Sequence, residues 1–358
     1  MRIGIDTRLQ NETGVGRYIR NLITYLPQLD TKNEYVFINP DIKWHTLEEQ
    51  IKMPAVLNAY NLDLVHIPYF NVPVFYTKPF VVTIHDLIVN EYRTGQASTQ
   101  NVLVYGLKRI GYQYSINHAV QKSCAIIVPS HATKDKLIEL YPRVHRNKIC
   151  VTYEGVDLKS ANGKPSESEG KQLTANSRIT NNKFFLYVGN AYPHKNVETL
   201  LKAFAQLNNP EIQLVIVGKK NYFTDRLTHS IKELDIADRI IFPGEIPDAE
   251  LAWLYKHAQA LVLPSLMEGF GLPALEAMQF RASVIASDIP VFHEICQQSA
   301  FYFNPFNVDQ LTALLKDITS SAKKSDMQKK KDFGEKRARE FSWKKMVNET
   351  IKIYNTCL

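Results

Sequence analysis

Two doubly wound, Rossmann-like α/β domains are the fold this sequence predicts, and three observations carry the prediction. The chain has 358 residues, 45% of them hydrophobic, enough to bury two cores of ordinary size. Short apolar runs alternate with longer stretches of helical periodicity in both halves, the pattern of parallel strands covered by helices. Between the halves, from Leu158 to Asn182, that periodicity is lost and Gly163, Lys164, Pro165, Ser166, Glu167 and Ser168 crowd together, as in a linker.

In the first half, strands are expected over Arg2–Asp6, Tyr35–Ile38, Leu64–Ile67, Phe80–Ile84, Ala125–Pro129 and Lys148–Tyr153. Helices are expected over Gly16–Tyr25, Asn101–Lys122 and His131–Leu140, the last opening on the helix-start pattern Ser130-His-Ala-Thr. After the linker the strands are Phe184–Val188, Gln213–Val217, Ile240–Phe242, Ala260–Leu263 and Ser283–Ala286. The helices between them are Val197–Leu207, Thr224–Leu234, Asp248–His257 and Pro273–Gln279. The lysine-rich run Lys323–Arg339 reads as the exposed face of a helix. The expected division is 1–165 for the first domain, 166–340 for the second and 341–358 for a last helix.

Composition narrows the function classes. The start MRIGIDTRL alternates like a strand, and no run of about eighteen apolar residues occurs, so neither a signal peptide nor a membrane span is expected. The cysteines Cys124, Cys150, Cys296 and Cys357 form no C-x-x-C pair and suit a reducing cytoplasm. Net charge is +7, from 43 Lys and Arg against 36 Asp and Glu, which favours an anionic partner. Nucleic acid, a diphosphate donor, an anionic membrane surface and a merely solvated basic exterior all fit the charge, and a nucleic-acid role would lean on charge alone, since no such module is recognisable.

The most informative stretch is Glu268 to Glu276, EGFGLPALE, between an expected strand ending at Pro264 and a helix opening at Pro273. Glu268 then lies on the loop and Glu276 in the first helical turn, beside amides of Phe270, Gly271 and Leu272 at a positive helix end that suits anionic or hydroxyl-rich ligands. Taken alone, the stretch also fits a plain strand–turn–helix connection with helix-favouring glutamates. Thr13-Gly14-Val15-Gly16 follows the first strand and lets backbone approach a phosphate, but Arg17, Tyr18 and Ile19 follow in place of a third glycine, so it is no dinucleotide fingerprint. His85 and Asp86 end a strand at the sheet edge where open α/β folds bind ligands; a lone histidine there is more often structural, and Asp86 would orient it or cap the loop. Lys195 sits on the loop after the first strand of the second domain, where a point charge can neutralise a leaving diphosphate. No Asp-x-Asp motif, metal-ligand cluster, Walker loop or G-x-S-x-G elbow occurs, so no metal or cofactor is expected.

PSLMEGFGLPALEAM resembles the glutamate-pair signature of the retaining glycosyltransferases of family 4. TGVGRY, TIHD at 83–86, YVGNAYPHKN at 187–196, LVIVGKK at 214–220 and FPGEIPDAEL at 242–251 resemble further family segments, in the family's order. The resemblance implies the GT-B architecture: two facing Rossmann-like domains, ligand in the cleft at the carboxyl ends of both sheets, and a C-terminal helix crossing back to the N-terminal domain. It implies an N-terminal acceptor-binding domain and a C-terminal domain binding a nucleoside-diphosphate sugar. By the same resemblance Glu268 lies against the donor sugar, Glu276 holds the ribose hydroxyls, Gly16 and Lys195 meet the diphosphate, and His85 faces the transferred sugar. The leaving phosphate itself would take the acceptor proton in a same-face, metal-independent displacement.

The PHKN loop and TIHDL look most like mannosyltransferases that assemble bacterial surface polysaccharides, which makes GDP-mannose the expected donor and a glycan or glycolipid hydroxyl the acceptor. The alternatives are a UDP-sugar donor, a GT-B sugar-nucleotide epimerase and a non-catalytic nucleotide-sugar-binding subunit. Tyr69, Phe70 and Asn71, after the third strand, are the candidates for acceptor contact. The chain departs from the family at Asn190, where an arginine is usual, and at His194, where a second basic residue often precedes the lysine. Lys219 and Lys220 are the nearest candidates for the missing cation. Tyr105, Lys108, Arg109, Tyr112 and Tyr114 on one expected helix suggest peripheral attachment to the inner face of an anionic membrane, and equally fit an ordinary surface helix.

Overall fold

The computed structural model describes residues 1–12, 14–91, 102–156, 183–219, 222–320 and 323–357, with only the backbone at 102–105, 107 and 108. It comprises two units, Met1–Gly155 with Ser342–Leu358, and Val156–Phe341. The boundary expected at 165 lies outside the described residues.

Unit 1 carries six parallel strands: β1 Arg2–Asp6, β2 Glu34–Ile38, β3 Leu64–Ile67, β4 Phe80–Thr83, β5 Ala125–Val128 and β6 Ile149–Val151. Their order is β2-β1-β3-β4-β5-β6, so the chain winds outward in opposite directions from the β1/β3 pair. β3, β4 and β5 are buried along their whole length, as strands covered on both faces must be, which is why they read as continuous apolar runs. Helix α1, Gly14–Leu29, is longer than expected because the buried stripe of Tyr18, Ile19, Leu22 and Leu26 continues past Tyr25. Helix α2, Leu47–Ala59, was not legible in the sequence: Pro54 stands in its interior, yet Thr46 caps it and Met53 and Leu57 bury its inner face. The short α3, Ile88–Glu91, is followed by α4, Val102–Lys122, and α5, His131–Leu140, which Ser130 caps through Thr133.

Unit 2 repeats the design. Strands β7 Lys183–Val188, β8 Ile212–Val217, β9 Ile240–Gly244, β10 Leu261–Leu263, β11 Val284–Ser287 and β12 Ala300–Phe303 form a second parallel sheet in the order β12-β11-β10-β7-β8-β9. Its reversal point is the β7/β10 pair. The helices are α6 Val197–Gln206, α7 Tyr222–Glu233, α8 Asp248–His257, α9 Leu272–Gln279, α10 Pro290–Cys296, α11 Val308–Thr319 and α12 Lys324–Ala338. Phe185, Phe204, Leu214, Val262, Phe303 and Leu315 are among the side chains of the core between sheet and helices. The strand β12 and helices α10 and α11 went unforeseen.

The last helix, α13 Trp343–Asn355, returns to unit 1 and packs on α1, as expected. Its anchor is polar. Tyr354 OH lies 2.6 Å from Nδ1 of the fully buried His66, whose Nε2 lies 2.7 Å from Thr83 Oγ1. Burial, with His85 nearby, lowers the His66 pKa to about 3, so the folded protein keeps this imidazole neutral. The unfolded chain would bind a proton near pH 6.5 and the folded chain would not, so stability falls as pH drops through that window. The loss should reach about 2 kcal/mol at pH 5 from this group alone. Thermal melts of wild type and His66→Gln between pH 7 and pH 5 check it: the variant, though less stable throughout, should lose the larger part of the slope.

Candidate functional site

In open α/β sheets the carboxyl ends of the two strands at the reversal point diverge and leave a crevice where ligands bind. In unit 2 those strands are β7 and β10, and their following loops carry Lys195 and Glu268. The first loop makes a single tight turn, Pro193–Lys195, closed by Asn196 in the left-handed region at φ 55°. Three bonds then stitch it to its neighbours. The His194 carbonyl accepts from the Leu266 amide at 2.7 Å, and Asn196 Nδ2 donates to the carbonyls of Pro264 at 3.0 Å and Pro305 at 2.8 Å.

The stitching holds Lys195 and Glu268 together. Lys195 Nζ donates to both carboxylate oxygens, at 2.7 and 2.8 Å, and Ser265 Oγ donates to Oε1 at 2.7 Å. The pair is largely withdrawn from water, with side-chain exposures of 21% and 12%. Burial alone would raise the Glu268 pKa, but the ammonium and the serine hydroxyl outweigh it and hold the carboxyl below its usual value. His194, buried beside them, is lowered to about 4 by burial and by Lys195, so it brings no charge at neutral pH. The second cation expected of this loop is therefore absent at His194, and Asn190 supplies none.

Beyond Glu268, Gly271 takes φ 95°, and a Cβ there would lie 2.9 Å from the Phe292 ring; α9 starts at Leu272 with Pro273 second and no side-chain cap. Because the helix starts one residue before Pro273, Glu276 falls just past the first turn rather than within it. It is 3% exposed, and Tyr255 OH on α8 donates to its Oε2 at 2.8 Å. The Phe270 side chain is buried against Phe341, with ring centroids 5.9 Å apart, which leaves only its backbone to a ligand. Lys219 is exposed and directly follows Gly218, which abuts the Gly189 carbonyl so closely that a Cβ would lie 2.3 Å from it. That contact brings the β8 loop against the β7 loop. Lys220 lies outside the described residues.

In unit 1 the reversal point is β1/β3. A small pocket there is lined by Asp6, Arg8, Trp44, Glu49, Tyr69 and Asn71, among others. Arg8 pairs with Asp6 at 2.6 Å and with Glu49 at 2.7 Å, all three nearly or fully buried, and Asn71 connects Glu49 to Ser115 on α4. Of the three residues expected to touch an acceptor, Tyr69 stands half-buried at this pocket, while Asn71 is spent on the network and Phe70 is buried against Tyr112. Neither Arg8, Glu49 nor Trp44 was singled out from the sequence; the signal available was the capping pattern Thr46-x-x-Glu49. His85 is held at both ring nitrogens, Nδ1 3.1 Å from Glu154 and Nε2 3.2 Å from the Pro68 carbonyl. The carboxylate beside it is thus Glu154, which sequence reasoning missed, while Asp86 caps the loop through the Ile88 amide at 3.1 Å. Gly16 is the third residue of α1; Thr13 lies outside the described residues.

Comparison with known proteins agrees with both halves. Residues 13–160 match the model of Glycosyltransferase Family 4, and residues 170–336 that of Glycosyl transferases group 1. The O-antigen chain mannosyltransferase RfbU of Salmonella typhimurium is 27% identical over 275 residues, 77% of this chain and 70% of that one. O-antigen chain mannosyltransferase B of Escherichia coli is 24% identical over 361 residues, 93% of this chain and 88% of that one. Among solved structures, sucrose-phosphate synthase from Thermosynechococcus elongatus superposes with a TM-score of 0.77 at 20% identity, covering 99% of this chain and 98% of that one. With matched models over both units, two parallel six-stranded sheets and a paired glutamate and lysine at the reversal point of the second, the chain belongs to the family 4 glycosyltransferases of GT-B fold.

Proposed function

We propose that this glycosyltransferase moves a mannosyl residue from GDP-mannose to a hydroxyl of a glycan or glycolipid in surface polysaccharide assembly, with retention at the anomeric carbon and without a metal ion. The observation that carries the reading is the Lys195–Glu268 pair on the loops at the reversal point, with α9 starting four residues after Glu268: one cation for a leaving diphosphate, one carboxylate for the sugar, and a helix start close by in the chain. The relatives named as O-antigen mannosyltransferases support mannose and polysaccharide. Unit 2 binds the donor, and unit 1 the acceptor.

The test is a panel of sugar nucleotides with and without EDTA, following nucleoside diphosphate release and the product's anomeric configuration by NMR. Fastest release from GDP-mannose, unchanged by EDTA, with an α-linked product, is the expected result. Preference for a UDP-sugar, or epimerised sugar without transfer, would replace the reading; binding without turnover for every donor and acceptor would make the chain a nucleotide-sugar-binding subunit.

Attachment to anionic lipid is part of the proposal, in an amended form. Tyr112 is turned inward, its hydroxyl bonded to Asn90, whereas Arg109, Ile110 and Tyr114 on α4 are exposed. The side chains of Tyr105 and Lys108 lie outside those described. Leu47, Ile51 and Phe75 are further large apolar side chains open to solvent on unit 1. Among the described residues no helix is long and apolar enough to cross a membrane. Sedimentation with phosphatidylglycerol vesicles should be strong at low salt and weakened in Ile110→Ser/Tyr114→Ser; no binding at low salt rejects attachment.

A further inference from the structure

We propose that Cys124 and Cys357 are a peroxide-sensitive thiol pair, Cys124 the nucleophile and Cys357 the resolving thiol, whose disulfide staples the end of α13 to the sheet of unit 1. The pair lies at the amino edge of that sheet, opposite the carboxyl edge where its crevice opens. Cys124 directly precedes β5, and its amide and its Sγ both donate to the Phe80 carbonyl on β4, at 2.9 and 3.0 Å. Cys357 follows α13 by two residues. Its amide donates to the carbonyl of Tyr354, whose hydroxyl is anchored on His66. Held so, the Cys357 thiol donates to Cys124 Sγ, and both residues are partly exposed. That hydrogen bond, assisted by the Ala125 amide and the Lys148 ammonium, holds the Cys124 thiol below its ordinary pKa although burial opposes it, while Cys357 is pushed up. Lys148 is pinned at the same edge, its Nζ donating to the carbonyls of Gln121 at 3.0 Å and Ser123 at 3.1 Å. A partly exposed thiol that ionises readily beside a second thiol is the arrangement a small oxidant finds. Burial raises Cys150 instead, and takes the enclosed Cys296 up to about 12.

The oxidant is hydrogen peroxide or another hydroperoxide. The Cys124 thiolate attacks one peroxide oxygen, the O–O bond breaks, and the departing oxyanion takes a proton from water, which leaves a sulfenic acid on Cys124. Cys357 then attacks that sulfur. The S–O bond breaks as the S–S bond forms, and the hydroxyl leaves as water with the Cys357 proton. Two thiols and one hydrogen peroxide thus become one disulfide and two waters. In a reducing compartment a thiol reductant reverses the step by exchange, so the bond is transient. It closes a loop that contains the whole of unit 2, and should raise the melting temperature of unit 1 by about 5 °C.

The full chain, reduced and freed of reductant, is treated with stoichiometric hydrogen peroxide, blocked with N-ethylmaleimide and digested for mass spectrometry. A linked Cys124–Cys357 peptide is expected, with a raised melting temperature that dithiothreitol returns to its starting value. In Cys357→Ser, dimedone should trap a sulfenic acid on Cys124, and in Cys124→Ser neither the linked peptide nor the shift should appear. Melts of both variants in reductant, matched to wild type, show that they are folded. Iodoacetamide at neutral pH should alkylate Cys124 at least about 5-fold faster than Cys150. A link through Cys150, a sulfenic acid trapped on Cys357 in place of Cys124, unmodified thiols, or oxidation of Cys124 to the sulfinic acid without any linked peptide overturns the proposal.

Discussion

Glu268→Gln is expected to lower turnover on the order of 100-fold while nucleoside diphosphate binds at least as tightly as before. Glu268 accepts a hydrogen bond from Lys195 on each oxygen, at 2.7 and 2.8 Å, and one from the Ser265 hydroxyl at 2.7 Å. Any diphosphate that recruits Lys195 must compete with that carboxylate. The amide removes the competitor's charge and frees the ammonium for the phosphates, so product affinity rises as the sugar loses the carboxylate that stabilises developing positive charge. Glu276→Ala should show the converse split, with donor KM raised and kcat less affected, on the proposed reading in which Glu276 holds the donor rather than the reacting centre. Steady-state kinetics with calorimetric Kd values for the diphosphate separate the two; near-normal turnover in Glu268→Gln would remove Glu268 from the chemistry.

Lys195→Ala should be the more damaging change, acting on stability and activity together. It strips the bidentate partner from a carboxylate that is 12% exposed, leaving the Ser265 hydroxyl on Oε1. An ion pair broken on one side in so dry a setting costs about 2 to 4 kcal/mol, and the loss of a cation at a leaving diphosphate a further 100- to 1000-fold in turnover. The double variant Lys195→Ala/Glu268→Gln tells the effects apart, since it abolishes the stranded charge and should recover much of the melting temperature without any activity. Lys219→Ala tests whether the exposed lysine of the adjoining loop shares the diphosphate. A loss comparable to Lys195→Ala and non-additive with it would identify the second cation, whereas unchanged rates in both Lys219→Ala and Lys220→Ala leave Lys195 alone in that role.

Eleven of the twelve strands among the described residues were legible because a parallel strand buried on both faces is a run of apolar residues with turn residues at its ends, as in AIIV before Pro129-Ser130. Helix α2 was not, since its reason to exist lies in a cap and two buried side chains rather than in a long apolar stripe, and Pro54 argues locally against it. In the site, Lys195 and Glu268 were legible individually from their loops. Their direct pairing was not: it depends on β7 and β10 becoming neighbours, a choice made by the whole sheet. Glu154 and the Arg8–Glu49 network were hidden for the same reason, as their partners are distant in the chain: Arg8 and Glu49 are 41 residues apart, and His85 and Glu154 are 69.

The contact between His66 and Tyr354 spans 288 positions of sequence. Unit 1 is therefore a discontinuous domain, and a ribosome emits the whole of unit 2 before the piece that completes unit 1. Closing so long a loop in a disordered chain would be entropically costly and slow. The backbone offers a remedy: Gly155, the last residue before the excursion, lies so close to Ser342 and Trp343 that a Cβ there would meet the Trp343 nitrogen at 2.1 Å. The chain thus leaves and re-enters unit 1 at one spot, and an inserted body that has already folded presents its two ends together. Unit 2, continuous from Val156 to Phe341, can mature first, and its closed ends then return the chain to unit 1, where α13 packs on α1. In a nascent chain, the last thirteen-residue helix is then the bolt that turns an open six-stranded sheet into a finished domain.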